Sequence, residues 1–378
     1  GTTGKPKSIV HSSGGTLLQH VKELVIHTDL KRNDKIFYFT TCGWMMWNWL
    51  VSSLSIGASI VLYDGNPFFP NNESLLEIMD DLDVSIFGTS AKYIASLESL
   101  DVKPNQFKFT SLKSILSTGS VLSPNSYEYV YKNWKKTVQL SSISGGTDII
   151  SCFALGNPML PVYKNELQCI GLGMSIKSYD NNMEHKLNRK GELICDKPFP
   201  SMPIGFWKDN NNAKYISAYF KYFPNVWRHG DYIMINSHGG VTIYGRSDAT
   251  LNPGGVRIGT SEIYQIVERH HKIEDSVAVG QNISGDERIL LFLKLKDSEV
   301  LTELFVDEIK ILIKDNCSPR HIPAFIMQVK DIPYTINGKK IEIAIKHIIH
   351  NEEVPNIESI SNPECLKEYK TKVGKLPL

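Results

Sequence analysis

The chain opens on Gly1-Thr2-Thr3-Gly4-Lys5-Pro6-Lys7, a run of small and hydroxylated residues carrying two lysines. Glycine lets backbone N–H groups approach phosphate oxygens, threonine hydroxyls add donors, and lysine adds charge, so phosphate binding is the chemistry open to this stretch. An ordinary turn is the other reading. The run lacks the G-x-x-x-x-G-K-[ST] spacing, which excludes the nucleoside-triphosphatase loop mechanism. Further on, Ser144-Gly145-Gly146-Thr147-Asp148 places a carboxylate directly after a Gly-Gly-Thr turn, either as a site or as a helix cap. Asp231 and Arg246 are candidates for a buried ion pair, and Gly254-Gly255 for an ordinary loop. The histidines offer no metal-ligand spacing: His270-His271 closes a helix, and His20 and His27 share one amphipathic helix, all read as surface or helix-end residues.

Composition narrows the function classes. The 378 residues exceed one typical domain, and 42% hydrophobic content suffices for at least one large core. With 41 basic against 40 acidic residues, the formal net charge of +1 gives no support for nucleic-acid or membrane-surface binding. The six cysteines are scattered and form no C-x-x-C pair, which predicts a reduced, cytoplasmic compartment rather than a disulfide framework or zinc site. The chain starts without Met inside the Gly/Thr loop, so we expect a fragment, with any targeting segment lying outside it. Trp44 to Leu62 is the longest apolar-looking run, but Asn48, four serines and Gly57 make it a helix, a glycine stop and a buried strand rather than a membrane span.

The elements that must position these residues alternate. Leu17, Leu18, Val21, Leu24 and Val25 recur at helical spacing, and Ile36 to Thr40 reads as a strand. A helix from Trp44, a strand at Ser59 to Tyr63, a helix at Glu73 to Leu82, a strand at Val84 to Phe87 and a helix from Ser90 to Leu100 come next. Ile115 to Ser117 is a strand, and Ser123-Pro124 opens a helix with N-cap and first-turn chemistry. Such alternation predicts a helix-covered, mainly parallel sheet over residues 1–165. Residues 166–247 read as short strands broken by Gly, Asn and Pro, a small β-rich subdomain, in which Asp209 to Asn212 is a polar loop and nothing more. Residues 248–378 form a separate α+β module: a helix from Thr260, strands near Val277 and Leu291, a helix from Leu301, a strand at Phe325 to Val329, and a final helix after Lys340.

Five segments in order resemble the adenylate-forming superfamily of acyl-CoA synthetases, luciferases and peptide-synthetase adenylation domains. Gly1 to Lys7 resembles its phosphate loop, and Ser144 to Asp148 its aromatic/Gly-x-Thr-Glu motif. Trp227-Arg228-His229-Gly230-Asp231 resembles Tyr-Arg-Thr-Gly-Asp. Gly245-Arg246-Ser247-Asp248 with Gly254-Gly255-Val256-Arg257-Ile258 resembles the hinge motif, and Pro333 to Lys339 the catalytic-lysine motif. Each is weak singly; together they span nearly the whole chain. Within the superfamily, Gly43 to Trp49 and Asn337-Gly338-Lys339-Lys340 look most like the acetoacetate-activating branch.

The resemblance implies an enzyme that joins acetoacetate to CoA through an acyl-adenylate, consuming ATP with Mg2+ and releasing AMP and pyrophosphate. Another short- or medium-chain acid is the alternative substrate, and an inactive fragment acting only as a binding module the alternative function. By the same resemblance, Lys339 would reach the acyl carboxylate and α-phosphate, while Lys340 beside it reads as a solvated turn residue. Thr2, Thr3, Gly4, Lys7 and Thr147 would meet phosphate, and Asp148 would hold Mg2+ with a shorter arm than the family's Glu. Asp231 would accept from the ribose hydroxyls, with Arg246 supporting ribose and phosphate, and Gly119 and Ser120 lying against adenine. Asp248 would be the hinge of a mobile C-terminal lid, whose rotation brings Gly255 and Arg257 to the pocket, Gly255 for the CoA arm. Trp44, Met45 and Met46 would wall the acyl pocket, core packing being their plain alternative, with Gly145 opening room for a longer acid.

Overall fold

The computed structural model describes residues 8–283, 285–336, 338–354 and 356–376. The chain divides into two compact units: residues 8–229 with Ile233–Ile243, and Gly230–Tyr232 with residues 244–376.

At the centre of the first unit is a five-stranded, all-parallel sheet in the order Ser59–Val61, Lys35–Tyr38, Ile86–Ser90, Ser114–Thr118, Gln139–Ser142. Parallel strands buried on both faces must be apolar on both. Phe37, Phe87 and Ile115 face a cluster with Leu75, Ile94 and Trp134, whereas Ile36, Ile86 and Leu116 face the opposite cluster with Leu24, Met46 and Trp49. Helix starts follow local chemistry: Ser90 Oγ accepts from the Tyr93 N–H at 3.1 Å, and Ser123 Oγ from the Ser126 N–H at 3.1 Å, with Pro124 in the first turn. Two antiparallel sheets come after it in the chain. One pairs Ser144–Gly146, Ser151–Leu155 and Cys169–Ile170; the other is ordered Ile176–Tyr179, Lys190–Cys195, Trp227–Ile235, Val241–Arg246. Residues 230–232 and 244–246 of the last two strands group with the second unit.

The second unit is built on the long hairpin Ile273–Ile283 and Asp286–Leu295, with Phe325–Gln328 added in parallel. The helices Thr260–Val267 and Glu303–Asn316 pack Ile263, Val267, Phe305 and Ile309 against one face through Ala278, Leu291 and Leu293. Glu342–Ile349 and Leu366–Val373 cover the other with Ile345, Ile349 and Tyr369 against Val277, Val279 and Phe292.

Several expectations change. The first helix, Ser13–Lys22, leaves Leu17 and Leu18 exposed at 44% and 62% and buries Gln19, His20 and Glu23 instead. Its last turn widens over Glu23–His27, where the Thr28 N–H reaches back to the Glu23 carbonyl. A polar face is tolerated inside when its groups meet partners. Glu23 accepts from Gln19 Nε2 (2.9 Å), Trp49 Nε1 (2.9 Å), Ser151 Oγ (2.5 Å) and the Cys152 N–H (3.3 Å). His20 and His27 are likewise core residues, not surface ones. The strand Ser59–Val61 lies at the sheet edge, half-buried rather than buried. Asp209–Asn212 does more than turn: the Asp209 carboxylate accepts from the Lys214 and Tyr215 N–H groups (3.0 and 2.8 Å), starting an unforeseen helix, Ala213–Tyr219. The helix Leu366–Val373 was likewise not legible from periodicity. Among the described residues no helix is long and apolar enough to cross a membrane.

Candidate active site

The Asp148 segment is a tight reversal between two antiparallel strands. Ser144–Gly146 leads into a single 3-10 turn at Thr147–Ile149, and Ile150 reverses the chain with φ of 48° before Ser151–Leu155 returns. Gly145 is required here by backbone proximity: a Cβ would lie 2.0 Å from the Ser151 carbonyl oxygen. The missing side chain would thus point into the returning strand, so room for a longer acid is not what this glycine supplies. Thr147 is exposed and Asp148 half-buried. The Tyr219 hydroxyl donates to Asp148 Oδ1. Tyr219 is in turn stacked on Trp227, with ring centroids 3.8 Å apart and planes 11° from parallel. The carboxylate is braced by a tyrosine that stacks on a strand tryptophan and ends the helix whose first N–H groups Asp209 accepts. Sequence reasoning missed Tyr219; the signal was there in Tyr215 and Tyr219, four apart after an Asp-Asn-Asn run.

Elsewhere in this unit, Gly119 and Ser120 come after the strand Ser114–Thr118, and Gly119 takes a φ of 94°. The Trp44 ring comes within 3.7 Å of the point where a Gly119 side chain would begin. Trp44 and Met45 are buried at 9% and 8% exposure, and Met46 at 1%, all within the apolar cluster beneath the sheet. Met46 is core. Thr2, Thr3, Gly4 and Lys7 lie outside the described residues, as does Asn337 of the lysine motif.

The second unit brings three predicted residues together. Arg246 Nη1 donates to Asp231 Oδ1 at 3.1 Å, and its Nε lies 3.4 Å from Asp248 Oδ1. Asp231 is nearly buried, whereas Arg246 and Asp248 remain exposed at 44% and 41%. One guanidinium thus links the expected ribose acceptor to the expected hinge. Past them, Pro253–Gly255 is a tight turn held from the hairpin: the Asn252 N–H donates to Glu287 Oε1 (2.6 Å) and the Gly254 N–H to Asp286 Oδ1 (2.8 Å). Gly254 and Gly255 both take positive φ, 57° and 77°, which an L side chain resists. Gly255 and Arg257 are exposed. Gly255 borders an open cavity of ≈ 450 Å³ with Asn252, Asn282, Gly285, Asp286 and Glu287.

Lys339 sits at the base of a turn whose legs pair antiparallel at Tyr334 and Lys340. The Thr335 N–H donates to the Lys339 carbonyl (2.8 Å), and the Lys339 N–H to Thr335 Oγ1 (3.0 Å). Lys339 is half-buried. Lys340 is not the solvated neighbour the sequence suggested. Its Nζ pairs with Glu268, lies 2.8 Å from Asp275 Oδ1, donates to the Ser276 carbonyl at 2.7 Å, and stands 4.2 Å over the Tyr264 ring. Burial lowers the affinity of this ammonium for its proton, but Asp275 and Glu268 outweigh it and hold the pKa above the ordinary lysine value. Burial raises that of Glu268 against the pull of Lys340.

Comparison with known proteins agrees with this architecture. The AMP-binding enzyme family model matches residues 1–202, more than half of the chain. The chain belongs to the AMP-binding enzyme family. Among its relatives, acetoacetyl-CoA synthetase of Danio rerio is 51% identical over 373 residues, 98% of this chain and 55% of that protein. Acetoacetyl-coenzyme A synthetase of Rhizobium meliloti (strain 1021) is 50% identical over 367 residues, 97% and 56%. The solved structure of acetoacetyl-CoA synthetase from Streptomyces lividans superposes with a TM-score of 0.92 at 40% identity, covering 99% of this chain and 58% of that one. The chain spans about half the length of the curated relatives it matches.

Proposed function

We propose that this chain forms part of an acid–thiol ligase that joins acetoacetate to CoA with cleavage of ATP to AMP and pyrophosphate, by way of an acyl-adenylate. What carries the reading is identity of about one half, along nearly the entire chain, to proteins named acetoacetyl-CoA synthetase. The site geometry supplies parts suited to that chemistry. A carboxylate with a pKa of about 4 is already ionised at neutral pH, so no general base is required to attack the α-phosphate. The barrier lies in forcing an anion onto a polyanion and in charge developing on the leaving pyrophosphate, and fixed cations and donors lower it. Lys339 supplies one such cation from a braced turn. Asp231 accepts from the ribose hydroxyls, with Arg246 alongside to hold its orientation. Gly119 and Ser120 border the adenine, and Trp44 and Met45 the acyl group.

Asp148 is the residue suited to Mg2+. One of its oxygens is engaged by Tyr219, and among the described residues no set of three His, Cys, Asp or Glu gathers to hold a metal ion. Asp148 would offer the ion a carboxylate oxygen, the ligand type Mg2+ takes, and an ion bound there would supply charge neutralisation to the phosphates. In the thioester half-reaction, Lys339 gives way to the exposed Gly255 and Arg257 as the C-terminal lid turns about Asp248, because one arrangement cannot serve both the pyrophosphate and the thiol.

The test is pyrophosphate release from the full-length protein with a panel of acids. Acetoacetate should give the highest kcat/KM; equal turnover of butyrate would remove the substrate assignment while leaving the reaction class. ATP alone should raise the melting temperature with concentration, as linkage to the folded state requires. A melting temperature indifferent to nucleotide would count against the reading itself.

A further inference from the structure

We propose that Lys340 is a positioning residue for adenylation: clamped between Glu268 and Asp275, its ammonium fixes the turn from which Lys339 meets the reacting carboxylate and phosphate. The inference rests on the proposed role of Lys339 in adenylation. Both legs of the turn end on one buried carboxylate. Lys340 Nζ lies 2.8 Å from Asp275 Oδ1, and the Tyr334 hydroxyl donates to Asp275 Oδ2 at 2.5 Å. Asp275 itself is 4% exposed. Its Oδ1 also accepts from the Ser276 N–H (2.8 Å), while Ser276 Oγ donates to Glu268 Oε1 (2.8 Å), so the two carboxylates are linked. Glu268 closes the helix Thr260–Val267, and Asp275 and Ser276 belong to the strand Ile273–Ile283, one arm of the long hairpin. The turn is thereby tied to the core hairpin and to a helix at once. Neighbours on an extended leg project to opposite sides, so seating Lys340 inward turns Lys339 outward.

Stability alone does not account for such a cluster. Ion pairs drawn even partly out of water return little net stability, and the best-attested role of such groups is to fix register. Register is what a lysine approaching a phosphate needs, because an error of about 1 Å in placement costs a reaction on the order of 100-fold.

The experiment measures two half-reactions in the full-length protein: acid-dependent ATP–pyrophosphate exchange, and thioester formation from supplied acyl-adenylate. Lys340→Met should lower kcat for exchange by about 100-fold while leaving the KM for ATP and the thioester half-reaction near wild type. Because that variant leaves two carboxylates without their cation, Lys340→Met/Asp275→Asn is made beside it; it removes one charge of each sign and should fold, yet remain poor in exchange. Lys340→Arg should recover part of the loss. A folded double variant that exchanges at the wild-type rate, or one that loses both half-reactions equally, overturns the proposal. Lys339→Ala separates the two levels: if it leaves exchange intact, the reading of Lys339 fails and the inference with it, whereas loss on Lys339→Ala with wild-type exchange in the double variant sinks the Lys340 role alone.

Discussion

Asp148 and Lys339 both sit on short reversals of the chain, but they are held by opposite means. The Lys339 turn is fixed by charge: its own neighbour, Lys340, is paired with Glu268 and Asp275. Asp148 is fixed by a neutral donor, the Tyr219 hydroxyl, delivered from 71 residues away and oriented by stacking on Trp227. The difference matches what each would do. A lysine that serves one half-reaction and leaves for the other can be bolted to its own rigid module. A carboxylate meant for a cation must keep its charge, and a phenol donor orients it without neutralising it.

The largest effect expected is at the lysine. Lys339→Ala should cut acid-dependent ATP–pyrophosphate exchange by about 1,000-fold, the scale of losing a group that stabilises charge only in the transition state. Thioester formation from supplied adenylate should be spared, and equal loss in both would break the comparison, since Lys339 would then serve both arrangements. Next is Asp231→Asn, which weakens the charge-assisted contact to Arg246 and the proposed ribose acceptor; the KM for ATP should rise by roughly 10- to 100-fold, the scale of hydrogen bonds to charged groups. Tyr219→Phe keeps the ring stacked on Trp227 and removes only the hydroxyl. The Mg2+ concentration giving half-maximal exchange should rise by about tenfold, with the melting temperature nearly unchanged. An unchanged Mg2+ dependence would show that Asp148 needs no brace.

The smallest effect concerns the buried histidines behind the Asp148 turn. His20 Nε2 donates to the Ile150 carbonyl at 2.5 Å, and His27 Nδ1 donates to the Gly156 carbonyl (2.8 Å) while its Nε2 accepts from the Leu172 N–H (3.0 Å). Burial lowers both pKa values below the ordinary 6.5. The unfolded chain therefore takes up protons first as the pH falls. Their stabilisation is complete above the unfolded pKa of about 6.5 and is lost as pH drops toward the lower folded values, at no more than about 1.4 kcal/mol per pH unit for each histidine. Urea unfolding between pH 7 and 5 should show this slope, and His27→Asn should flatten it. A slope unaffected by that substitution would mean that His27 titrates alike in both states.

Much of the fold was legible. The alternation of apolar strands with capped helices from Ile36 to Ser126 specified a covered parallel sheet, because strands buried on both faces leave no other pattern. Amphipathicity misled at the first helix: Leu17 and Leu18 read as an inward face, yet Glu23 with its donors took that place. Period cannot reveal a polar core, because its partners Trp49, Ser151 and Cys152 come from other elements.

What the sequence by itself determined is the set of chemical groups and their order: the Gly-Gly-Thr-Asp turn, the Asp231–Arg246 pair, the paired glycines Gly254-Gly255 and the adjacent lysines. Short-range rules govern those features, since turn geometry and strand pairing depend on neighbours. Tertiary structure alone decided that Lys340 is clamped between two carboxylates, which aromatic reaches Asp148, and that Gly145 is required by the strand behind it. Each of these turns on a contact that a residue's own sequence neighbours do not specify, and burial sets its energy.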